Sequence, residues 1–328
     1  MNEQFKDQGG AASMSPSPLK RWLTSQLVRK VSSIKRRDRN RAVAEKKRKA
    51  NGERHVVEFF YQIDDGYSHL AAQTLEPLLE AYDIELICHL VSGPSGNNSA
   101  EPELLLDLAR VDSVAIAPHY GLAFSASSKL PDSDMQGLAK SILAEKSAEE
   151  FVSLAPRLGN ALWSGDSEEL VSMASNFGKA GDAQVEAAVA AGDARRIALK
   201  HYSGAMFYYA GEWYWGVDRL YHLEKRLLSL KAVKGSHSQQ LFPRPPIELG
   251  DLKDNGSLTL EVYPSLRSPY TAMSFDRALK LAADTGVSLK VKPVLPMVMR
   301  GVPATREKGI YIFSDAVREA HELGMTFG

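Results

Sequence analysis

The sequence predicts an α/β protein that holds one complete copy of a strand–helix–strand–helix unit and the opening half of a second. Three observations predict it. Two stretches of the chain run through strand, turn, helix and strand in the same order. They do so at one fixed offset. The first stretch alone continues into an Ala-rich helical segment that ends in an aromatic hairpin.

In the first copy, His55 to Phe60 (HVVEFF) is a strand-like run, YQIDDG a turn, Tyr67 to Tyr82 a helix, and IELICHLV at 84–91 a second strand. A strand–helix–strand crossover places both strands parallel in one sheet. Residues 125–200 are Ala-rich with Gly and Pro punctuation, which predicts a helical insert. AMFYY and EWYW, separated by Ala210-Gly211, read as a hairpin. VDRLYHLEKRLLSL closes the copy, and 233–256, rich in Pro, Gly and Ser, reads as a linker. These boundaries give an N-terminal arm over 1–54, a first domain over 55–232 and a second from 257.

In the second copy, LTLEVY at 258–263 is a strand, PSLRSP a turn, Tyr270 to Asp284 a helix and VSLKVKPV at 287–294 a strand. An offset of 203 holds without a gap across 57–124 against 260–327. It pairs Glu58 with Glu261, Tyr67 with Tyr270, Val91 with Val294, Asp112 with Asp315, Ala117 with Ala320, Gly121 with Gly324 and Phe124 with Phe327. Gly328 corresponds to Ser125, so the second copy has no insert, hairpin or closing helix. A half-unit of this kind exposes a sheet edge and an apolar face. The expectation is a natural chain longer by roughly a hundred residues, from normal domain sizes.

A length of 328 residues suits about two domains, and 44% apolar residues suffice for a sizeable core. The single cysteine, Cys88, excludes an internal disulfide, a CxxC redox pair and a cysteine-rich zinc site. Placed in an apolar alternation, it reads as core. The eight histidines show no HxxxH or HExxH spacing, so no metal site is expected. The lone thiol and the absence of an apolar h-region near the N-terminus point to a cytoplasmic protein.

The zero net charge hides an asymmetry. Residues 20–54 carry 14 Lys/Arg against Asp38, Glu45 and Glu53, and residues 55–328 carry 25 basic and 35 acidic side chains. A basic arm is joined to an acidic body. Residues 1–18 are rich in Gly, Ser, Pro and Ala and are expected to be disordered. Leu19, Leu23, Leu27, Val31 and Ile34 then recur at helical spacing among Arg21, Arg29, Lys35 and Arg36, a basic amphipathic helix. Its candidate partners are an anionic surface, membrane or nucleic acid, and the protein's own acidic body. With Trp22 its one aromatic residue, a platform for stacking single-stranded bases is not expected.

Four stretches resemble a known family: SLRSPYTAMSFDRAL at 265–279, REKGIYIFSDAVREAHELGMTF at 306–327, ALWSGD at 161–166 and GAMFYYAGEWYWGVDRL at 204–220. They are similar to the DsbA-like thioredoxin superfamily, in the branch of 2-hydroxychromene-2-carboxylate isomerase and kappa-class glutathione transferase. The resemblance implies a thioredoxin-like fold with a helical insertion. It also implies chemistry at the N-terminus of the first helix, where free N–H groups and the helix dipole hold a thiolate. In that branch a serine hydroxyl holds the thiolate of bound glutathione.

Carried over by position, the resemblance places Ser268 as the thiolate-holding serine, followed by Pro269 and Tyr270 as expected. Ser268 is equally an ordinary N-cap before a proline at the first helical position, and both roles can hold together. Lys308 is placed near the ligand, with a solvated surface lysine as the alternative. The first copy departs from the pattern. Asp65 and Gly66 stand at the serine and proline positions, and Ala205 stands where the family has a cis-proline. A carboxylate there caps a helix but repels a thiolate. Asp218 is placed near the ligand's amino group, with helix capping as the alternative. The implied activity is a glutathione-dependent isomerase or transferase acting on a small aromatic electrophile. The alternative is a non-catalytic tandem scaffold, and disulfide exchange is contradicted by the missing cysteine pair. An intrachain pseudo-dimer of the two units is a further expectation.

Overall fold

A computed structural model describes residues 17–99, 101–125, 129–248, 250–296 and 305–325. The disorder expected at the N-terminus falls, up to residue 16, outside these residues. Pro18, the last residue of that expected segment, instead opens a helix.

The arm forms two helices, α1 (Pro18–Val31) and α2 (Ile34–Ala50). Ser17 caps α1, its hydroxyl accepting from the Lys20 amide at 3.3 Å. The helical pattern breaks at Ser32-Ser33 because the Ser33 hydroxyl serves both helices. It donates to the Lys30 carbonyl at 3.0 Å and accepts from the Arg36 amide at 3.3 Å. In α2, Arg41 grips Glu212 through Nε and Nη2, both at 2.7 Å, a bidentate pair. The chain divides into two compact units, one of residues 41–245 and one of 246–328 with the segment up to 40.

In the 41–245 unit, β1 (His55–Gln62) and β2 (Ile84–Val91) run parallel, His55 opposite Ile84 through to Gln62 opposite Val91. The helix expected over 67–82 is two helices, α3 (Gly66–Ala72) and α4 (Leu75–Ala81). Two side chains account for the break. Thr74 Oγ1 donates back to the Ala71 carbonyl at 2.7 Å. Gln73 pairs with the backbone of Ala123, donating at 2.8 Å and accepting at 3.1 Å.

Next comes α5 (Pro102–Ile116), followed by the insertion: α6 (Ser133–Leu143), α7 (Ala148–Ser164), α8 (Ser167–Phe177) and α9 (Asp182–Ala198). The hairpin β3 (Met206–Tyr209) and β4 (Glu212–Trp215) leads to α10 (Leu220–Ser229). The sheet order is β2–β1–β3–β4, with β3 antiparallel to both β1 and β4. The unit has a thioredoxin-like fold with a helical insertion.

Central strand β1 is covered on both faces, as its near-continuous apolar run requires. Val57, Phe59 and Tyr61 join the main core with Phe207, Tyr214, Leu75, Phe151 and Leu158. Each such side chain contributes about 1.5–3 kcal/mol by leaving water. On the other face Phe60 stacks on His89 at 4.7 Å, and Glu58 takes both Arg195 (2.7 and 2.8 Å) and His89 (3.0 Å). Cys88 packs partly buried against the core, and burial pushes its thiol up. That is the inert environment the sequence predicts.

In the second unit β5 (Thr259–Val262) and β6 (Ser288–Val291) run parallel around α11 (Pro269–Thr285), and α12 (Arg306–Glu322) follows. Gly286 ends α11 at φ 79°, where a side chain would collide with the Asp254 carbonyl. Leu258, Tyr263 and Leu266 are exposed beside this two-stranded sheet.

Candidate functional site

The resemblance described above directs attention to the start of the first helix, beside the loop that enters the hairpin. In the 41–245 unit that helix is α3, and Asp65 is its N-cap. The Asp65 carboxylate accepts from the Tyr67 amide at 3.3 Å and from the Ser68 amide at 3.1 Å, and takes the Ser68 hydroxyl at 2.8 Å. Burial pushes its pKa up to about 6, against the hydrogen bonds from Ser68 and Tyr67.

Ser68 ties this helix start to the hairpin. Its oxygen also accepts from the Gln62 amide at 3.1 Å and the Ala205 amide at 2.9 Å. Ala205 is fully buried, and its backbone is left-handed at φ 53°, a strained region for a residue with a Cβ. No peptide bond among the described residues is cis. The start of α3 is therefore filled by the protein's own carboxylate, hydroxyl and backbone. Gly66 is required as well. A Cβ there would lie 2.8 Å from Ser113 Oγ and 3.2 Å from the Phe124 ring.

Behind α3 lies a buried group the sequence did not single out. His69 sits 5.4 Å from the Phe124 ring, and Phe124 lies 5.3 Å from the Trp163 indole. Gly159 leaves the room for His69. Burial holds His69 down to about 4, so it is neutral at physiological pH. His69 Nδ1, Trp163 Nε1 and Ser113 Oγ have no hydrogen-bond partner among the described residues. The signal for Trp163 was its place in ALWSGD. His69 stood in no recognisable spacing.

In the second unit the helix start at the same sequence offset carries other residues. Ser268 caps α11, its oxygen accepting from the Thr271 amide at 3.4 Å, and Pro269 takes the first helical position. Ser268 donates to no acceptor among the described residues. Tyr270 donates to Asp315 at 2.8 Å, as Tyr67 does to Asp112 at 2.8 Å. Thr271 stands where Ser68 stands, and its hydroxyl accepts from the Ser265 amide at 3.2 Å. Ser68 and Thr271 were missed in the sequence. Their matched hydroxyls at the offset of 203 were the available signal.

Lys308 lies in the first turn of α12, half-buried, with burial lowering its pKa. Ser268, Pro269, Tyr270 and Lys308 thus share one unit, on the first turns of two helices. Asp218 belongs to the other unit, in the single turn Val217–Arg219, and pairs with Arg219 at 2.6 Å. The N-cap of α10 is Arg219, so Asp218 does not take the capping position open to it in the sequence. No cluster of metal-ligating side chains occurs among the described residues, and no helix there is long and apolar enough to cross a membrane.

No family model matches the chain, and no curated protein matches it. Among solved structures it is similar to a 2-hydroxychromene-2-carboxylate isomerase in selenomethionyl form. The match has 20% identity and a TM-score of 0.42, and covers 54% of this chain and 96% of that one. The fold assignment rests on the strand order and directions given above.

Proposed function

We propose that the chain is a tandem thioredoxin-like protein in which a low-molecular-weight thiol, glutathione, binds at Ser268. It would serve an isomerase- or transferase-type reaction on a small aromatic electrophile. The observation that carries this reading is the Ser268 hydroxyl. It stands at the start of a 17-residue helix with its hydrogen uncommitted, where the other unit has a saturated carboxylate. The tandem reading is supported by two bonds recurring at the same offset, tyrosine to aspartate and backbone amide to hydroxyl.

Bound glutathione supplies a nucleophilic sulfur able to add reversibly to an electrophilic carbon, which turns a double bond into a rotatable single bond. The chain's residues provide for that sulfur's charge. Ser268 donates a hydrogen bond to the thiolate, and the positive end of α11 favours its ionised form. Pro269 fixes the backbone entering the helix. Tyr270, tied to Asp315, holds the first turn in place. Lys308 offers a cation for a carboxylate of the tripeptide.

Calorimetric titration with glutathione tests this. Binding is expected, and Ser268→Ala should weaken it about ten- to a hundredfold, the range for a hydrogen bond to a charged group. Asp65→Asn should leave it unchanged. No binding heat, or full affinity in Ser268→Ala, rejects the reading. The closed Asp65–Ser68–Ala205 cluster favours a second reading, a tandem scaffold without chemistry, which absent binding would support.

A further inference from the structure

Helix α1 is built inside out. A soluble amphipathic helix buries its apolar stripe and shows water its polar face. In α1 the residues drawn inward are Ser25 and Val28, followed by Ser32 at its end. Leu19, Trp22, Leu23 and Leu27 are each more than half exposed, and Val31 and Ile34 continue the outward stripe. No residue of α1 is fully buried. Among the described residues this apolar stripe is left exposed.

The charge around that stripe has one sign. Lys20, Arg21, Arg29 and Lys30 lie on α1, which carries no acidic residue, and Lys35, Arg36 and Arg37 follow at the start of α2. A binder of nucleic acid places cations against phosphates and has no use for three outward leucines. A protein partner of acidic character would satisfy the charge but not select for Trp22, an indole at the edge of an apolar stripe. A bilayer surface meets both demands. Leucines enter the acyl boundary, the indole sits at the headgroup level, and the long basic side chains reach back to anionic headgroups. At 14 residues α1 is suited to lying in the interface and is too short to span it.

We propose that α1 docks this protein on anionic lipid membranes. The test is co-sedimentation of the full chain with phosphatidylcholine vesicles, with and without phosphatidylserine. Binding is expected to the anionic vesicles alone and to fall as salt rises. Leu23→Glu/Leu27→Glu should abolish it, and Lys20→Glu should weaken it about fivefold or more, from the worth of one cation near an anionic surface. Both sites are exposed, so an unchanged thermal melt shows that folding is intact. Four outcomes overturn the proposal: no binding to anionic vesicles, equal binding to neutral ones, full binding by the leucine variant, or capture by nucleic acid in place of lipid. A fifth is self-association, lost in the leucine variant, which would assign the stripe to a second copy.

Discussion

Two helix starts, at Asp65 and at Ser268, share a frame and differ in what fills it. In both, a tyrosine at the second helical position is tied to an aspartate 45 residues on. In both, a hydroxyl at the third helical position accepts from the backbone entering the turn. At Asp65 the polar groups consume one another around a buried carboxylate. At Ser268 the cap makes one long bond and keeps its donor. The same helix start can thus keep its shape while the residue at the cap decides how much of its hydrogen-bonding capacity is used within the protein.

The largest effect that should break this comparison is a pH dependence. Burial raises the Asp65 pKa from 3.8 to about 6, so the folded state binds this proton more tightly than the unfolded chain. Stability from this group is therefore greatest below about pH 4, falls as pH rises from about 4 to about 6, and is level above that. The loss is up to about 3 kcal/mol. Other carboxylates give the opposite slope. Glu58, for example, is pulled toward the neutral form by burial but held down to about 2 by Arg195 and His89. The measurement is accordingly the difference between wild type and Asp65→Asn in urea denaturation across pH. The variant should gain on wild type between pH 4 and 6. A variant that loses ground there would show that the helix start stabilises the charge more than burial penalises it.

Gly66→Pro asks whether the closed start could be rebuilt as the open one, since proline is what stands at 269. The backbone of a first helical position accepts proline. The space does not, because the added atoms meet Ser113, the Ala109 carbonyl and Phe124. A loss of about 2 kcal/mol is expected, typical of overpacking, read as a lower denaturation midpoint for the 41–245 unit. A neutral substitution would mean that α5 can retreat, and that the two starts differ by composition alone.

Much of this frame was legible in the sequence, and the reasons differ by element. The parallel strands and hairpin followed from apolar runs bounded by turn residues. The matched register followed from an ungapped offset. Ser268-Pro269 announced its helix because capping is a local rule. The break between α3 and α4 was not legible, since it depends on Gln73 reaching the backbone of Ala123, 50 residues away. The unpartnered His69 Nδ1, Trp163 Nε1 and Ser113 Oγ are set by tertiary packing and leave no periodic trace. The outward turn of the α1 leucines reversed the usual sense of an amphipathic pattern, because periodicity defines a stripe without saying what covers it.

The smallest contrast lies in the two tyrosine–aspartate bonds. Asp315 is about 1% exposed and Arg318 holds its other oxygen at 2.8 Å, whereas Asp112 is only half-buried. Removing the phenol takes one donor from Asp315 Oδ2 where water does not replace it, but Asp112 can turn to solvent. Tyr270→Phe should therefore cost about 2 kcal/mol and Tyr67→Phe about 1 kcal/mol, by the difference between stranding a buried acceptor and losing one net hydrogen bond. Hydrogen exchange is the suitable readout, because it reports each unit separately where a single melt would merge them. Protection should fall more in α11 and α12 for the first variant than in α3 and α5 for the second. The reverse order would mean that Arg318 alone satisfies Asp315. Tyr270 would then act through its ring and not through its hydroxyl, and the likeness of the two helix starts would rest on the hydroxyls of Ser68 and Thr271.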